Sequence, residues 1–436
     1  MAASAGMGRD RYVDLLRAWA IVSVVVGHWL ITALVREPDG AIRAPELLAE
    51  IAWTQWLTLG FQVMPVFFLA GGYAAGGSWG AARGGGSGWV RRRVLRLLVP
   101  AGVYSGLVLV AVGVCQGVGV DSGTLELVGW AMAMQFWFLP VYVVLGALTP
   151  LLYAAHVRWG LLVPVGMGAV AAVAAFVPYG GILGYVLVWG VAYQLGFCWR
   201  DGLLRGKGLA LAGCGGVAFA GLVVLGPYPV SLIRVTGQDP SNTDPPSLAM
   251  LAWVVAQVGG CLLLAPPLRR VLARERVWRV VRGVGGASMT LYLWHMLPVL
   301  VVAACFYLTG LAPQPALGSL GWWGLRVPWL VVLGVVMAGV VAGVRPLAGI
   351  HERVRLPVQR RSWTLWVGIG IAVPSLARFA VHGFAPDGRF PVLPALGLAV
   401  GTALVMAGDD RAVCDRDLPH RSSAIGSGNS ADADAS

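Results

Sequence analysis

The chain has 436 residues, of which 58% are hydrophobic and only 12% charged, and its mean hydropathy is +0.75. Soluble domains carry about 25% charged residues, so a soluble globular protein is excluded and an integral membrane protein is expected. The net charge of +12 rests almost wholly on arginine, with Lys207 the single lysine. These arginines stand in short loops between apolar runs, which argues for topology signals over nucleic-acid binding.

A hydrocarbon core about 30 Å thick takes roughly 20 apolar residues per helix. In chain order the candidate spans are 13–35, 51–76, 95–117, 127–153, 160–177, 182–199, 208–226, 247–266, 286–309, 322–344, 364–381 and 390–407. The expected fold class is all-α: a polytopic integral membrane protein with about 12 transmembrane helices. Gly and Pro inside these runs are no objection, because membrane helices tolerate both. No small-x-small cleavage site closes the first run, which is therefore expected to stay as the first span.

Loop charge alternates along the chain. Arg83, Arg91, Arg92, Arg93 and Arg96 follow the second span, and Arg200, Arg205 and Lys207 the sixth. Arg269, Arg270, Arg274, Arg276, Arg279 and Arg282 follow the eighth; Arg345, Arg353, Arg355, Arg360 and Arg361 follow the tenth. The loops of opposite parity are poor in arginine, so both termini are expected to be cytoplasmic in a multi-pass protein of the cell membrane. The layout is a cytoplasmic segment 1–12, a membrane core 13–345, additional helices in 346–407 and a disordered cytoplasmic tail 408–436, which is too polar to order itself. The RGGGSG stretch at 83–88 reads as a flexible loop; a bare glycine run is weak evidence for a phosphate cradle. Cys115, Cys198, Cys214, Cys261, Cys305 and Cys414 are scattered, with no CxxC and no histidine at ligand spacing, so neither a disulfide framework nor a metal site is expected.

The first run carries Arg17 and His28 in RAWAIVSVVVGH. Eleven residues at about 100° each bring the two back to one helix face, roughly 16 Å apart along the axis. Asp14, one turn earlier, shares that face. Arg17 and Asp14 then lie near the inner interface and His28 about halfway across the hydrocarbon. Snorkelling explains an arginine there, and helix-to-helix hydrogen bonding explains a histidine. A neutral imidazole at that depth is also able to accept a proton as a general base. Arg93 and Arg96 stand one turn apart at the inner end of the third span, where paired guanidiniums suit a polyanion as well as a topology signal. Ser288, Tyr292 and His295 share a face of the ninth span, as interhelical polar contacts or as a site.

These residues together resemble the membrane-bound acyltransferase 3 family. Its first-helix R-x10-H signature, with an acidic residue ahead of it, is matched by DLLRAWAIVSVVVGH from Asp14 to His28. FFLAGG (Phe67 to Gly72) is similar to the family's FFLSG, with Ala70 in place of serine. Arg93 and Arg96 match its R-x-x-R; Trp137, Phe138 and Leu139 match its WFL; Ser288, Tyr292, Leu293 and His295 match its late S-x-x-x-Y-L-x-H. The polar loop Arg234 to Leu248 is also similar, so the resemblance covers roughly residues 9–345.

The resemblance implies a core of about ten helices, followed here by a C-terminal pair, and an O-acyltransferase. It implies transfer of an acyl group, most simply acetyl, from cytoplasmic acyl-CoA as co-substrate to a hydroxyl of a carbohydrate or glycosylated acceptor, with no metal. In that reading His28 is the base. Arg17, Arg93 and Arg96 hold the donor, and Asp14, Ser288, Tyr292 and His295 serve substrate binding. Tyr292 or His295 would meet the acceptor or the developing oxyanion. Two other readings fit the composition. One is a proton-coupled transporter using Asp14, Arg17 and His28, although the first-helix pattern has no repeat in the second half. The other is a non-catalytic membrane subunit whose basic face binds anionic lipid.

Overall fold

The computed structural model describes residues 10–82, 86–177, 180–346 and 362–407. The segment 1–9, Arg83 and its glycine neighbours, the basic stretch with Arg353, Arg355, Arg360 and Arg361, and the tail with Cys414 lie outside the described residues.

Fourteen principal helices are described. They are α1 (Arg11–Ile31), α2 (Met64–Gly80), α3 (Gly86–Gly117), α4 (Ser122–Ala133), α5 (Phe138–Trp159), α6 (Leu162–Ala174) and α7 (Gly181–Arg200). Then follow α8 (Gly208–Val224), α9 (Leu248–Leu272), α10 (Glu275–Trp294), α11 (Leu297–Val302), α12 (Leu320–Val344), α13 (Ser362–His382) and α14 (Val392–Met406). Each apolar run of the sequence coincides with at least one of them. Among the described residues, seven segments are by length and hydropathy able to cross a membrane, or up to eight if α10 and α11 form one broken span; α6, α8 and α14 are shorter apolar helices. On α12, Val327, Val331 and Val335 are 67%, 60% and 68% exposed. Their four-residue spacing makes one apolar stripe, the kind of face that lipid covers.

Small residues set the closest helix contacts. A Cβ on Gly72 would stand 1.9 Å from the Tyr193 carbonyl oxygen, and one on Gly196 2.3 Å from that of Leu69, so α2 and α7 meet backbone to backbone. Gly215 and Gly259 seat α8 on α9 in the same way, against Ala256 and Ala212. Without a hydrophobic drive between helices in lipid, such close packing supplies much of their association.

The bundle has two unlike ends. At the basic end the Asp10 side chain caps α1 by accepting from Tyr12 N, and it also accepts from Tyr73 Oη at 3.2 Å and from Arg269 at 2.7 Å, pinning α1, α2 and α9 together. The other end carries the longer loops. There α1 stops at Ile31, short of the apolar residues up to Val35, because Thr32 turns extended and pairs with Glu46. The Glu37-Pro-Asp-Gly turn, with Gly40 at φ 90°, then folds a small hairpin between Val35–Arg36 and Ile42–Arg43. Its neighbours reach across: Arg36 N donates to Gln314, Thr236 N to Glu46, and Gln62 to the Leu232 carbonyl.

Two irregularities lie inside the bundle. A 3-10 turn, Met134–Trp137, separates α4 from α5. Between α10 and α11 the axis bends by 55°. Pro298, in the first turn of α11, lacks the N–H that would reach the Trp294 carbonyl, and the change of axis takes helical partners from other carbonyls at the bend.

Candidate active site

The bend is satisfied by side chains, as a break within a membrane helix requires. His295 is the residue at the break and is 0% exposed. Its own Nδ1 lies 2.8 Å from the Tyr292 carbonyl. Gln135 Nε2 donates to the Leu293 carbonyl at 3.0 Å, and Trp29 Nε1 to the His295 carbonyl at 2.6 Å. Trp29 is held in turn, since its carbonyl accepts from Trp329 Nε1 at 2.8 Å.

His28 meets this break from α1. Its Nδ1 lies 2.8 Å from His295 Nε2, with the two ring planes 13° from parallel. The chain of bonds fixes the protons. The Tyr292 carbonyl only accepts, so His295 Nδ1 carries a hydrogen; in the neutral ring Nε2 is then the acceptor, and His28 Nδ1 must donate to it. The neutral pair therefore leaves the lone pair of His28 on Nε2, which has no partner among the described residues. That nitrogen is able to take a proton. His28 sits in the last turn of α1, nearer the loop-rich end than its place in the apolar run suggests, because the helix ends at Ile31.

His28 lines a small, partly open cavity of about 30 Å³ with Val24, Met64, Phe67, Gln135, Trp137, Phe138 and Tyr292. That is room for about one water-sized group. The Tyr292 hydroxyl donates to the backbone carbonyl of Gln135 at 2.6 Å, so its proton is already committed.

Towards the basic end a second set of groups gathers on Tyr142 of α5. Its hydroxyl faces the guanidiniums of Arg17 and Arg93 without closing a hydrogen bond of good geometry to either. Arg93 donates to the Gly71 carbonyl at 3.2 Å, stacks over Trp89 and Tyr142, and keeps a buried Nε without a partner. Gly71 is small for a reason, since a Cβ there would stand 2.6 Å from the Tyr142 hydroxyl oxygen.

Of the residues singled out in the sequence, the structure thus joins His28, Tyr292 and His295 at one point, and Arg17 with Arg93 at another. Arg96 is exposed one turn beyond Arg93, Asp14 is buried one turn before Arg17, and Ser288 is half-buried one turn before Tyr292. Ala70, in place of the hydroxyl residue of FFLSG, is fully buried.

A family model described as an acyltransferase domain, Acyl_transf_3, matches residues 10–345. The chain belongs to the acyltransferase 3 family. No curated protein and no solved structure matches it. Family membership makes this chain a membrane acyltransferase, which favours acyl transfer over the carrier and subunit readings. The matched region holds every residue of both clusters and ends before α13 and α14.

Three residues of these two clusters stand outside the candidate site residues that the sequence offers: Trp29, Gln135 and Tyr142. Trp29 adjoins His28 and Gln135 lies just ahead of the WFL element; a lone amide inside an apolar run is a signal, because lipid offers it no partner. A further contact was invisible to spacing. His156 lies 3.7 Å from Cys198 Sγ and 2.9 Å from Asp201, joining α5 to α7 at the basic end.

Proposed function

We propose that this acyltransferase moves an acyl group, most simply acetyl, from acyl-CoA to a hydroxyl of a carbohydrate or glycosylated acceptor, with His28 Nε2 as general base. The observation that carries the reading is the fixed proton order of the His28–His295 pair, which leaves one basic nitrogen at the cavity. The basic end faces the cytoplasm of a cell-membrane protein, with both termini on that side. CoA is a polyanion, and Arg17 with Arg93 offers two guanidiniums on the path towards His28. Arg96, exposed nearby, is placed to meet the more distant phosphates.

The acceptor O–H gives its proton to His28 Nε2 while its oxygen attacks the thioester carbonyl. His295 keeps His28 in the productive tautomer and accepts from Nδ1–H as the imidazolium forms. Collapse of the tetrahedral adduct breaks the C–S bond, and the departing CoA sulfur takes the proton back from His28. His295 and Tyr292 have their protons committed within the protein, so they position and do not stabilise the oxyanion. Trp137 lines the cavity and its indole N–H has no partner among the described residues, so it is the donor we assign to the oxyanion. Asp14 and Ser288 flank these groups by one helical turn and act on substrate through them. The cavity as it stands holds about one small group, so substrates need its lining, which includes Met64 and Phe67, to open further.

The test is transfer of radiolabelled acetyl from acetyl-CoA in membranes carrying equal amounts of wild-type protein or His28→Ala. Loss of transfer in the variant is expected. Wild-type turnover in His28→Ala overturns the reading.

A further inference from the structure

Gln135 is 2% exposed in the 3-10 turn between α4 and α5, and it lines the cavity beside His28. Its amide is held in one orientation. Nε2 lies 2.9 Å from the Met132 carbonyl, 3.0 Å from that of Leu293 and 3.2 Å from the Tyr104 hydroxyl oxygen. Turning the amide over would set Oε1 against two carbonyl oxygens, which repel it. The Tyr104 hydroxyl is itself spent as a donor, giving its hydrogen to the Met132 carbonyl at 2.6 Å.

This leaves Gln135 Oε1 buried and without a hydrogen-bond partner. A buried acceptor of that kind is costly unless something donates to it. Two residues lining the cavity therefore each hold an open acceptor, His28 Nε2 and Gln135 Oε1. A single hydroxyl has one hydrogen and satisfies one of them. A pair of neighbouring hydroxyls satisfies both.

We infer that Gln135 is a specificity residue: its Oε1 accepts a hydrogen bond from a second hydroxyl of the acceptor, next to the one that is acylated. The acceptor is thus a vicinal diol, as found on a sugar ring. This rests on the acyl-transfer reading above and narrows its acceptor class. The acylated hydroxyl loses its proton to His28 Nε2, its oxygen forms the new C–O bond as the thioester C–S bond breaks, and the CoA sulfur leaves with that proton. The second hydroxyl keeps its hydrogen, on Gln135 Oε1, throughout.

The experiment uses purified full-length protein in detergent, labelled acetyl-CoA, and two surrogate acceptors, cis-cyclohexane-1,2-diol and its monomethyl ether. The wild type is expected to acetylate the diol faster than the ether by about tenfold, the scale of one buried hydrogen bond. Gln135→Met removes both ends of the amide, and the preference is expected to fall to about one. Gln135→Glu, neutral as burial favours, sets an O–H in place of the Nε2 donor and keeps an acceptor oxygen, and is expected to retain the preference.

Equal rates on diol and ether in the wild type overturn the inference while leaving acyl transfer intact. So does a Gln135→Glu protein that behaves as Gln135→Met, or a Gln135→Met protein whose change is confined to the KM for acetyl-CoA. Transfer to neither surrogate by a wild type that hydrolyses acetyl-CoA overturns the hydroxyl-acceptor reading itself, and the inference with it.

Discussion

His28 Nδ1 lies 2.8 Å from His295 Nε2, across 267 residues of chain and at the break between α10 and α11. In the proposed mechanism the pair divides the labour of one base: His28 offers Nε2, and His295 sets which nitrogen is free. Replacing His295 by Leu removes the acceptor for Nδ1–H and lets His28 turn or change tautomer. Acetyl transfer is expected to drop by about 10²–10⁴-fold, the range of a general-base contribution. His295→Gln, whose Oε1 still accepts, should recover part of it. The KM for acetyl-CoA should stay unchanged in both variants, because the arginines are untouched. A steady-state comparison of kcat and KM decides this, and a change in KM alone would rule out the positioning role.

Trp29 closes the other side of the same break. It is buried, and its indole N–H is the partner of the His295 carbonyl, which the bend strips of a helical donor. Trp29→Phe keeps most of the ring volume and orphans that carbonyl, at a cost of about 1–3 kcal/mol. The variant is expected to melt at a lower temperature in detergent and to lose activity less than His295→Leu. An unchanged melting temperature would show that the carbonyl finds another donor.

The two arginines of the R-x-x-R element are expected to behave differently. Arg93 is turned inward onto Gly71, Trp89 and Tyr142, and shares the Tyr142 hydroxyl with Arg17. Arg96 is exposed. Arg93→Ala and Arg17→Ala should each raise the KM for acetyl-CoA by about tenfold or more, the worth of one charge-assisted contact. Arg96→Ala should raise it by about threefold or less, as expected for a solvent-screened contact. Titration of the initial rate with acetyl-CoA separates these outcomes, and equal effects at the two positions would contradict the inward placement of Arg93.

Much of this was legible because it is periodic. The eleven-residue spacing of Arg17 and His28 sets one face of one helix, and composition alone requires apolar helices. What stayed hidden depends on other helices. The i,i+3 spacing of Arg93 and Arg96 says that they share a face, but only the position of α2 and α5 decides that Arg93 is enclosed. Tyr292 and His295 read as one stripe of a continuous helix, yet α10 ends at Trp294 and His295 belongs to the bend. The stop of α1 at Ile31 is set by a bridge to Glu46, which no local apolar pattern reveals. The orientation of the Gln135 amide needs three acceptors drawn from three helices, α3, α4 and α10.

The C-terminal pair, outside the family-matched region, supports the site from behind. The Phe379 ring lies 6.3 Å from Phe136 and 4.6 Å from Phe384, whose ring is 5.3 Å from Phe136. Phe136 neighbours Gln135 in the 3-10 turn. Arg91 of α3, buried, also reaches Thr364 of α13 at 3.4 Å. Phe379→Ala is expected to cost about 3–5 kcal/mol by opening a cavity in this aromatic cluster. It should also lower transfer activity at temperatures where the protein is folded, since the turn that carries Gln135 loses its backing. Thermal melts paired with activity at low temperature test this; full activity in a destabilised protein would show that α13 is only structural.

Glycines offer the sharpest test of the packing. Gly72 sits where α2 crosses α7, and a Cβ there would be 1.9 Å from the Tyr193 carbonyl oxygen, a backbone atom that has no rotamer to escape into. Gly72→Ala must push the two helices apart, and overpacking of this kind costs about 1–3 kcal/mol or more. Because α2 carries the Gly71 carbonyl that Arg93 grips, the variant is expected to lose acetyl-CoA affinity as well as yield. Gly102 on α3 is the counterpart: nothing stands within 4 Å of its Cβ position. There alanine only improves helix propensity, and a gain of roughly 0.5–1 kcal/mol is expected. If both substitutions shift the melting temperature alike, the backbone contact between α2 and α7 is not as close as described.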